Sequence, residues 1–117
     1  MPNKISPHFH RTEFACNCGC GFDTVDVDTL EILEAVRTHF GQPVIINSGC
    51  RCPDYNAKVG GAPNSQHTLG RAADIRVQGV EPSDVYDWLA ANFPTASIGR
   101  YATFTHVDTR SHGPARW

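Results

Sequence analysis

The sequence has no hydrophobic run that approaches the length of a membrane-spanning helix, which argues against membrane insertion. It also lacks an excess of positive charge, because 10 Lys and Arg residues stand against 12 Asp and Glu residues and give a net charge of −2. A protein that holds nucleic acid mainly by its phosphates needs a basic surface, so we expect no nucleic-acid partner. Residues 1–8 lack the apolar segment of a secretory signal peptide, and we therefore expect synthesis without one.

Repeats, linkers and low-complexity segments are absent from the sequence as well. The chain has 117 residues, of which 40% are hydrophobic, and this length is enough to bury one core. We therefore interpret residues 1–117 as a single domain and expect a monomer.

Two stretches have the periodicity of amphipathic helices. Apolar residues recur at intervals of three and four over residues 25–40, with Asp26 or Asp28 as the N-cap and Gly41 at the end. The second helix is predicted over about residues 83–92, with Val85, Trp88, Leu89 and Phe93 on its buried stripe. A short helical stretch is also expected after the loop at residues 48–56.

Four stretches predict β-strands. They cover residues 43–48 (buried and β-branched), 72–77, 96–101 and 104–110, and the last two form a hairpin. Residues 1–12 are predicted as an extended lead-in, and the segment that follows is too rich in Gly and Cys for a regular element. This pattern predicts an α+β fold with helices on one side of a mainly antiparallel sheet.

Candidate metal ligands lie in the second of these strands and just before it. The spacing of His67 and Asp74 does not suit one helix, but it suits a loop that carries His67, turns at Gly70 and enters a strand that presents Asp74. Taken singly, such a His is usually a surface residue and such an Asp a turn or cap residue. His106 in the last strand supplies a third ligand, and three protein ligands plus water make a catalytic zinc site.

Several short motifs occur together: Ser48-Gly-x-Arg51-x-Pro53, Val59-Gly-Gly, Ser65-x-His67-x-x-Gly70-x-Ala72-x-Asp74 and Phe104-x-His106-x-Asp108. With them the chain resembles the M15 family of zinc peptidases, in particular the short subfamily related to the C-terminal domain of zinc D-Ala-D-Ala carboxypeptidases. The resemblance covers about residues 8–112. It implies one Zn²⁺ on the sheet, held by His67, Asp74 and His106.

The same resemblance assigns roles to residues around the metal. It implies that Arg51 holds the carboxylate or polarised carbonyl oxygen of the substrate, for which a planar guanidinium is suited. Ser65 would support the loop that carries His67.

The sequence departs from the family pattern at one position. Many members have a catalytic Asp or Glu three residues before the last ligand histidine, where this chain has Thr103. Residues two apart in a strand point to the same face, so Asp108 is the candidate general base beside His106. The alternative is that Asp108 only orients a ligand histidine or pairs with Arg110. His112 is a weaker candidate for carrying a proton.

The cysteines form two groups, one before the first helix and one around Arg51: Cys16, Cys18 and Cys20, then Cys50 and Cys52. Four of them could bind a second metal, but C-x-C spacing differs from that of the usual zinc hairpins. We favour one or two disulfides that join the groups and pin the Arg51 loop. The count of five leaves at least one thiol free, and the pairing stays open.

The resemblance implies a zinc metallopeptidase that hydrolyses peptidoglycan stem peptides, as a D-Ala-D-Ala carboxypeptidase or as an endopeptidase. The chain would be made in the cytoplasm and act at the cell wall after release, for example as a phage lysis protein. Two other interpretations remain. The same three ligands could form a non-catalytic zinc domain, or the cysteines could be the working site of a redox or metal-sensing protein.

Overall fold

The computed structural model describes residues 4–61, 65–110 and 114–117. Its regular elements in chain order are β1 (Lys4–Ser6), β2 (Phe9–His10), α1 (Val27–Phe40), β3 (Val44–Ser48), α2 (Pro53–Lys58), β4 (Ala72–Val77), α3 (Pro82–Asn92), β5 (Ser97–Arg100) and β6 (Thr105–Asp108). Short 3-10 turns cover Arg11–Phe14 and Gln66–Leu69. The main sheet has the order β3-β4-β6-β5, and each neighbouring pair is antiparallel. The predicted α+β class is confirmed.

Helix α1 begins and ends where its sequence provides caps. The Asp26 side chain accepts a hydrogen bond from the backbone N–H of Thr29, so Asp26 rather than Asp28 is the N-cap. Gly41 follows the helix in the left-handed conformation, with φ of +65°, which glycine adopts without a steric penalty.

The two faces of the sheet have different roles because side chains alternate along a strand. On one face, Ala73, Ile75 and Val77 of β4 and Val107 of β6 join a single apolar core with buried residues of α1 and α3. Both of these helices contact the sheet. Asp74, His106 and Asp108 occupy the alternate positions of the same strands. The fold therefore presents these three polar side chains on the face opposite the helices.

Three local expectations need correction. Residues 4–10 form a small antiparallel hairpin rather than a plain extended lead-in. Strand β3 lies at the edge of the sheet, and only Val44 within it is buried, because β4 covers one side only. On α3, Val85 and Leu89 are buried, whereas Trp88 and Phe93 are half-buried and pack against the margin of the core. Within the described residues, no helix is long and apolar enough to cross a bilayer.

Glu34 of α1 anchors the N-terminal hairpin to the core. Its carboxylate accepts hydrogen bonds from the Ser6 hydroxyl at 2.6 Å and from the His8 backbone N–H at 2.8 Å, and His8 Nδ1 lies 2.6 Å from it. Burial alone would raise the pKa of Glu34, but these hydrogen bonds outweigh it and lower the pKa.

We expect Glu34→Gln to lower the free energy of unfolding by about 2 kcal/mol at pH 7, since hydrogen bonds to a charged acceptor are lost. Because the pKa of Glu34 is lower in the folded state, its contribution is present above the unfolded pKa and disappears as the pH falls through the folded value. Denaturant unfolding of both proteins at several pH values measures this. Glu31→Gln, on the exposed side of α1, is the matched control and should change little. An equal effect of both changes would contradict the anchoring role.

Candidate metal centre and its cleft

Three side chains with metal-ligating atoms converge on the face of the sheet opposite the helices. Asp74 of β4 pairs directly with His106 of β6 in the register, and His67 comes from the 3-10 turn before β4. Asp74 Oδ1 lies 2.9 Å from His106 Nδ1 and 3.3 Å from His67 Nε2. All three residues are buried. The structure thus brings together the three ligands expected from the sequence.

A backbone contact fixes the orientation of the His67 ring. Its Nδ1 lies 2.6 Å from the carbonyl oxygen of Gly49, which can only accept a hydrogen bond, so Nδ1 carries a hydrogen and Nε2 is the nitrogen that faces Asp74. Ser65 caps the 3-10 turn by accepting a hydrogen bond from the His67 backbone N–H. Gly70 ends the turn with φ of +69°. These contacts fit the supporting role expected of Ser65.

His106 lies between two carboxylates. Its Nδ1 faces Asp74, and its Nε2 is 2.7 Å from Asp108 Oδ2. Burial alone would lower the pKa of His106, but the hydrogen bonds to Asp108 and Asp74 outweigh it and raise the pKa. For Asp74, burial acts in the opposite sense, and the hydrogen bonds from His106 and His67 lower its pKa. The two carboxylates around this imidazole therefore stabilise positive charge at the site.

Asp108 is fully buried and has a donor at every available position. Its Oδ1 accepts from the backbone N–H and Nε of Arg110, and its Oδ2 accepts from Arg110 Nη2 and His106 Nε2. Burial alone would raise the pKa of Asp108, but the hydrogen bonds from Arg110 and His106 lower it. The contacts of Asp108 fit the alternative in which it orients His106 and pairs with Arg110.

Arg51 lies beside the three ligands. Its Nε donates to Ser48 Oγ at 3.2 Å, its Nη1 to Asn56 Oδ1 at 3.0 Å and its Nη2 to Asp74 Oδ2 at 3.3 Å. The backbone N–H of Arg51 also donates to the carbonyl of His67. Three of the five N–H groups of the guanidinium are thus engaged by described residues, and the side chain faces the cleft.

The chemistry of the three donors fits Zn²⁺. Two imidazole nitrogens and one carboxylate oxygen meet at one point, and such a set is typical of catalytic zinc. The second nitrogen of each histidine contacts an oxygen behind it, from Gly49 for His67 and from Asp108 for His106. Contacts of this kind fix the tautomer and the ring orientation of metal-bound histidines.

The candidate ligands lie in a cleft of about 830 Å³. Of the five large hydrophobic side chains that are most exposed among the described residues, four line this cleft: Val59, Leu69, Tyr101 and Trp117. Apolar side chains around a few polar groups are typical of ligand sites. Asp74 is the one carboxylate among the described lining residues.

Trp117 reaches the cleft because β5 has a glycine opposite His106. The register pairs Gly99 with His106, and a Cβ added at Gly99 would lie 2.4 Å from the Trp117 ring. The Trp117 and His106 ring centroids are 5.1 Å apart, and Trp117 Nε1 donates to the Tyr101 hydroxyl. Gly99 therefore makes room for an aromatic wall beside the candidate ligand.

A family model described as Peptidase M15 matches residues 7–108. The chain belongs to the peptidase M15 family. The M15 chain is 34% identical over 82 residues to the peptidoglycan L,D-endopeptidase MepK of Escherichia coli, which covers 64% of this chain and 43% of that protein. It is 44% identical over 48 residues to the zinc D-Ala-D-Ala carboxypeptidase of Streptomyces albus G, which covers 40% of this chain and 19% of that protein. The M15 chain thus matches less than half the length of these curated relatives.

The disulfide expected from the sequence is wrong for this M15 chain. All five cysteines, each within the described residues, are free thiols. The sulfurs of Cys16 and Cys18 are 3.4 Å apart, whereas a disulfide bond is about 2.05 Å long. Cys50 donates instead to the carbonyl of Phe22. The sulfurs of the other four cysteines lie close together, and no disulfide joins the two segments.

Some residues of the site could not be identified from the sequence motifs. One residue that was predicted lies outside the described part of the chain. Asn56 holds Arg51 from α2, while Tyr101 and Trp117 line the cleft from the far end of the chain. Only the long-range fold brings them there. Gln66 is a neighbour of His67, and its buried side-chain oxygen has no hydrogen-bond partner among the described residues. His112 falls among residues 111–113, outside the described ranges.

Proposed function

We propose that this M15 chain is a zinc-dependent metallopeptidase that hydrolyses peptide bonds in the stem peptides of bacterial peptidoglycan. The observation that carries the proposal is the convergence of His67, Asp74 and His106, with Arg51 beside them, in a cleft rimmed by exposed apolar side chains. The names of the two relatives, a peptidoglycan endopeptidase and a D-Ala-D-Ala carboxypeptidase, support the substrate class.

In this proposal His67, Asp74 and His106 would hold Zn²⁺ through Nε2, a carboxylate oxygen and Nδ1. The metal would supply a water of lowered pKa and a positive charge to polarise the scissile carbonyl. Arg51 is held by Ser48, Asn56 and Asp74 and would donate to the substrate carboxylate or to the developing oxyanion. Val59, Leu69, Tyr101 and Trp117 would contact the apolar parts of the peptide and exclude water.

The contacts of Asp108 support a role other than that of general base. The sequence made it the candidate general base, but its four contacts with Arg110 and His106 support orientation of His106 instead. We therefore propose Asp108 as a positioning residue.

The test is hydrolysis of purified peptidoglycan and of synthetic stem peptides by the zinc-loaded chain. We expect new amino groups, loss of activity with a chelator and recovery with zinc. Mass spectrometry of the products would show whether the bond lies at the D-Ala-D-Ala end, in a cross-link or at L-Ala-D-Glu. Cleavage of intact walls would also support a role in wall degradation or phage lysis after release from the cytoplasm.

A second candidate function has its own support. Within the described lining of the cleft the only carboxylate is Asp74, and Thr103 is exposed at the β5–β6 turn. A non-catalytic zinc domain that binds a partner would share both features. Zinc-loaded protein that binds stem peptides or peptidoglycan but releases no amino group from any of them would favour this function over hydrolysis.

Arg51→Lys tests the oxyanion role. The change keeps one positive charge but loses the planar fork, so we expect kcat/KM to fall by about 10²–10³-fold while zinc content is unchanged. Arg76→Lys is the matched control, because Arg76 is exposed on β4 and donates to Asn47. Steady-state kinetics together with metal analysis measures both effects. A wild-type kcat/KM for Arg51→Lys would remove Arg51 from the mechanism.

A further inference from the structure

Four cysteine sulfurs gather outside the cleft. Cys16, Cys18 and Cys20 lie between the first 3-10 turn and α1, and Cys52 is the N-cap of α2. Their sulfur atoms all lie within 4.8 Å of one another. The proposed reaction does not use these residues, so the cluster needs its own explanation.

The sulfur–sulfur distances distinguish between two kinds of bonding. They are 3.4 Å for Cys16–Cys18, 3.7 Å for Cys18–Cys52 and 3.8 Å for Cys16–Cys52. A disulfide would need about 2.05 Å. Four thiolates bound to one Zn²⁺ at about 2.3 Å in a tetrahedron lie about 3.8 Å from one another. The three distances are therefore close to the edges of a zinc–thiolate tetrahedron.

The backbone around the cluster is shaped to hold the sulfurs in place. The N–H of Cys52 points to Cys16 Sγ and the N–H of Tyr55 to Cys52 Sγ, each at 3.4 Å. N–H groups that point at sulfur orient and stabilise metal-bound thiolates. Gly19, between Cys18 and Cys20, has φ of +83°, a left-handed turn that glycine adopts without a steric penalty and that helps both cysteines to face the same point.

The fifth cysteine is excluded from this group. Cys50 is 2% exposed, and its thiol donates to the carbonyl oxygen of Phe22 at 2.8 Å. Its sulfur has a backbone partner, whereas the other four have mainly one another. The odd number of cysteines thus divides into four ligands and one buried thiol, and Cys50 offers a matched control.

We propose that Cys16, Cys18, Cys20 and Cys52 bind a second metal ion, a thiophilic divalent cation of the Zn²⁺ type, in a closed tetrahedral site. Four protein ligands leave no position for water, so this metal is structural. Cys52 directly follows Arg51, and the other three ligands belong to the N-terminal segment. The metal therefore ties that segment to the loop that presents Arg51 to the cleft, as a disulfide was expected to do.

The test uses the full chain, stripped of metal and kept reduced, with Co²⁺ as the probe. Thiolate ligands give Co²⁺ an intense sulfur-to-metal charge-transfer band in the near ultraviolet, and a His/Asp/His site does not. We expect this band to saturate at one equivalent, and zinc analysis to find two ions per reduced chain. Absence of the charge-transfer band in folded, reduced wild-type protein would overturn the proposal without any variant.

Variants test whether the charge-transfer band comes from the four clustered cysteines. Cys18 and Cys20 are exposed, so the double change Cys18→Ser with Cys20→Ser disturbs packing least. It should abolish the band and reduce zinc from two ions to one. Cys50→Ser keeps a donor for Phe22 and should retain both ions and the band. His67→Ala should lose the other ion and keep the band, which separates this site from the proposed catalytic centre. A band that survives the double change would assign the thiolates elsewhere and contradict the proposal.

Discussion

Asp74→Ala should remove one zinc ion per chain and reduce hydrolysis of stem peptides below detection. Asp74 Oδ1 is the atom that both His67 and His106 face, and Asp74 Oδ2 also accepts from Arg51. The change therefore removes a proposed zinc ligand and releases the guanidinium proposed to meet the substrate. Loss of one oxyanion donor already costs about 10²–10³-fold in turnover, so loss of the centre should cost more.

Metal analysis and turnover are measured on the same preparation. Asp87→Ala is the matched control, because Asp87 is an exposed carboxylate on α3 that pairs with Arg100 at 3.7 Å. It should leave both quantities unchanged, since exposed pairs contribute little. Asp74→Ala protein that keeps its full zinc content and its turnover would show that the convergence of the three side chains does not hold the catalytic metal.

Asp108→Asn should weaken zinc binding at this centre by about 10–100-fold, the usual effect of losing an orienting contact behind a ligand histidine. Asparagine keeps the size of the side chain but accepts fewer of the hydrogen bonds that come from Arg110 and His106. Excess zinc should then restore most of the rate. If Asp108 is instead the general base, a drop of about 10²–10⁴-fold should persist at saturating zinc.

The pH dependence of zinc binding adds a second measurement. A proton on His106 competes with the metal, and the hydrogen bond to Asp108 helps to raise the pKa of His106. A raised pKa means that zinc affinity falls as the pH drops through that value. Asp108→Asn should move this fall to lower pH. An unchanged midpoint would contradict the contact between Asp108 and His106 as a determinant of the ligand's protonation.

The parts of the fold that local patterns encode could be predicted from the sequence. The apolar period of α1 is a property of neighbouring residues, as is a cap at Asp26 or Asp28, of which the structure has Asp26, and the strand at residues 72–77 has the predicted bounds. The side-chain alternation of β6 also placed Asp108 on the face of His106, where the two are in contact. The N-terminal hairpin was missed because β2 has two residues, too few for a period, and because its anchor is Glu34 in α1.

The parts of the site that depend on long-range pairing could not be predicted. The contact of Trp117 with Gly99 results from the return of the chain alongside β5. Likewise, the sequence predicted that the two cysteine groups meet, but it could not show that Cys52 rather than Cys50 approaches Cys16, Cys18 and Cys20. The sequence left two roles open for Asp108, general base or positioning residue, because both roles require only that Asp108 lies on the same face of β6 as His106. Only the positions of the donors around the carboxylate favour one of them.

The direct pairing of Asp74 with His106 also constrains how the chain folds. A slip of one residue between β4 and β6 would turn His106 toward the core face and carry it away from Asp74. A cation that needs both side chains therefore has affinity for the correctly aligned sheet and little for a misaligned one. It would bind late in folding, after the strands have paired. By mass action it would lower the free energy of the native state relative to states with misaligned strands. The metal would then favour the correct alignment of β4 with β6, independently of any role in catalysis.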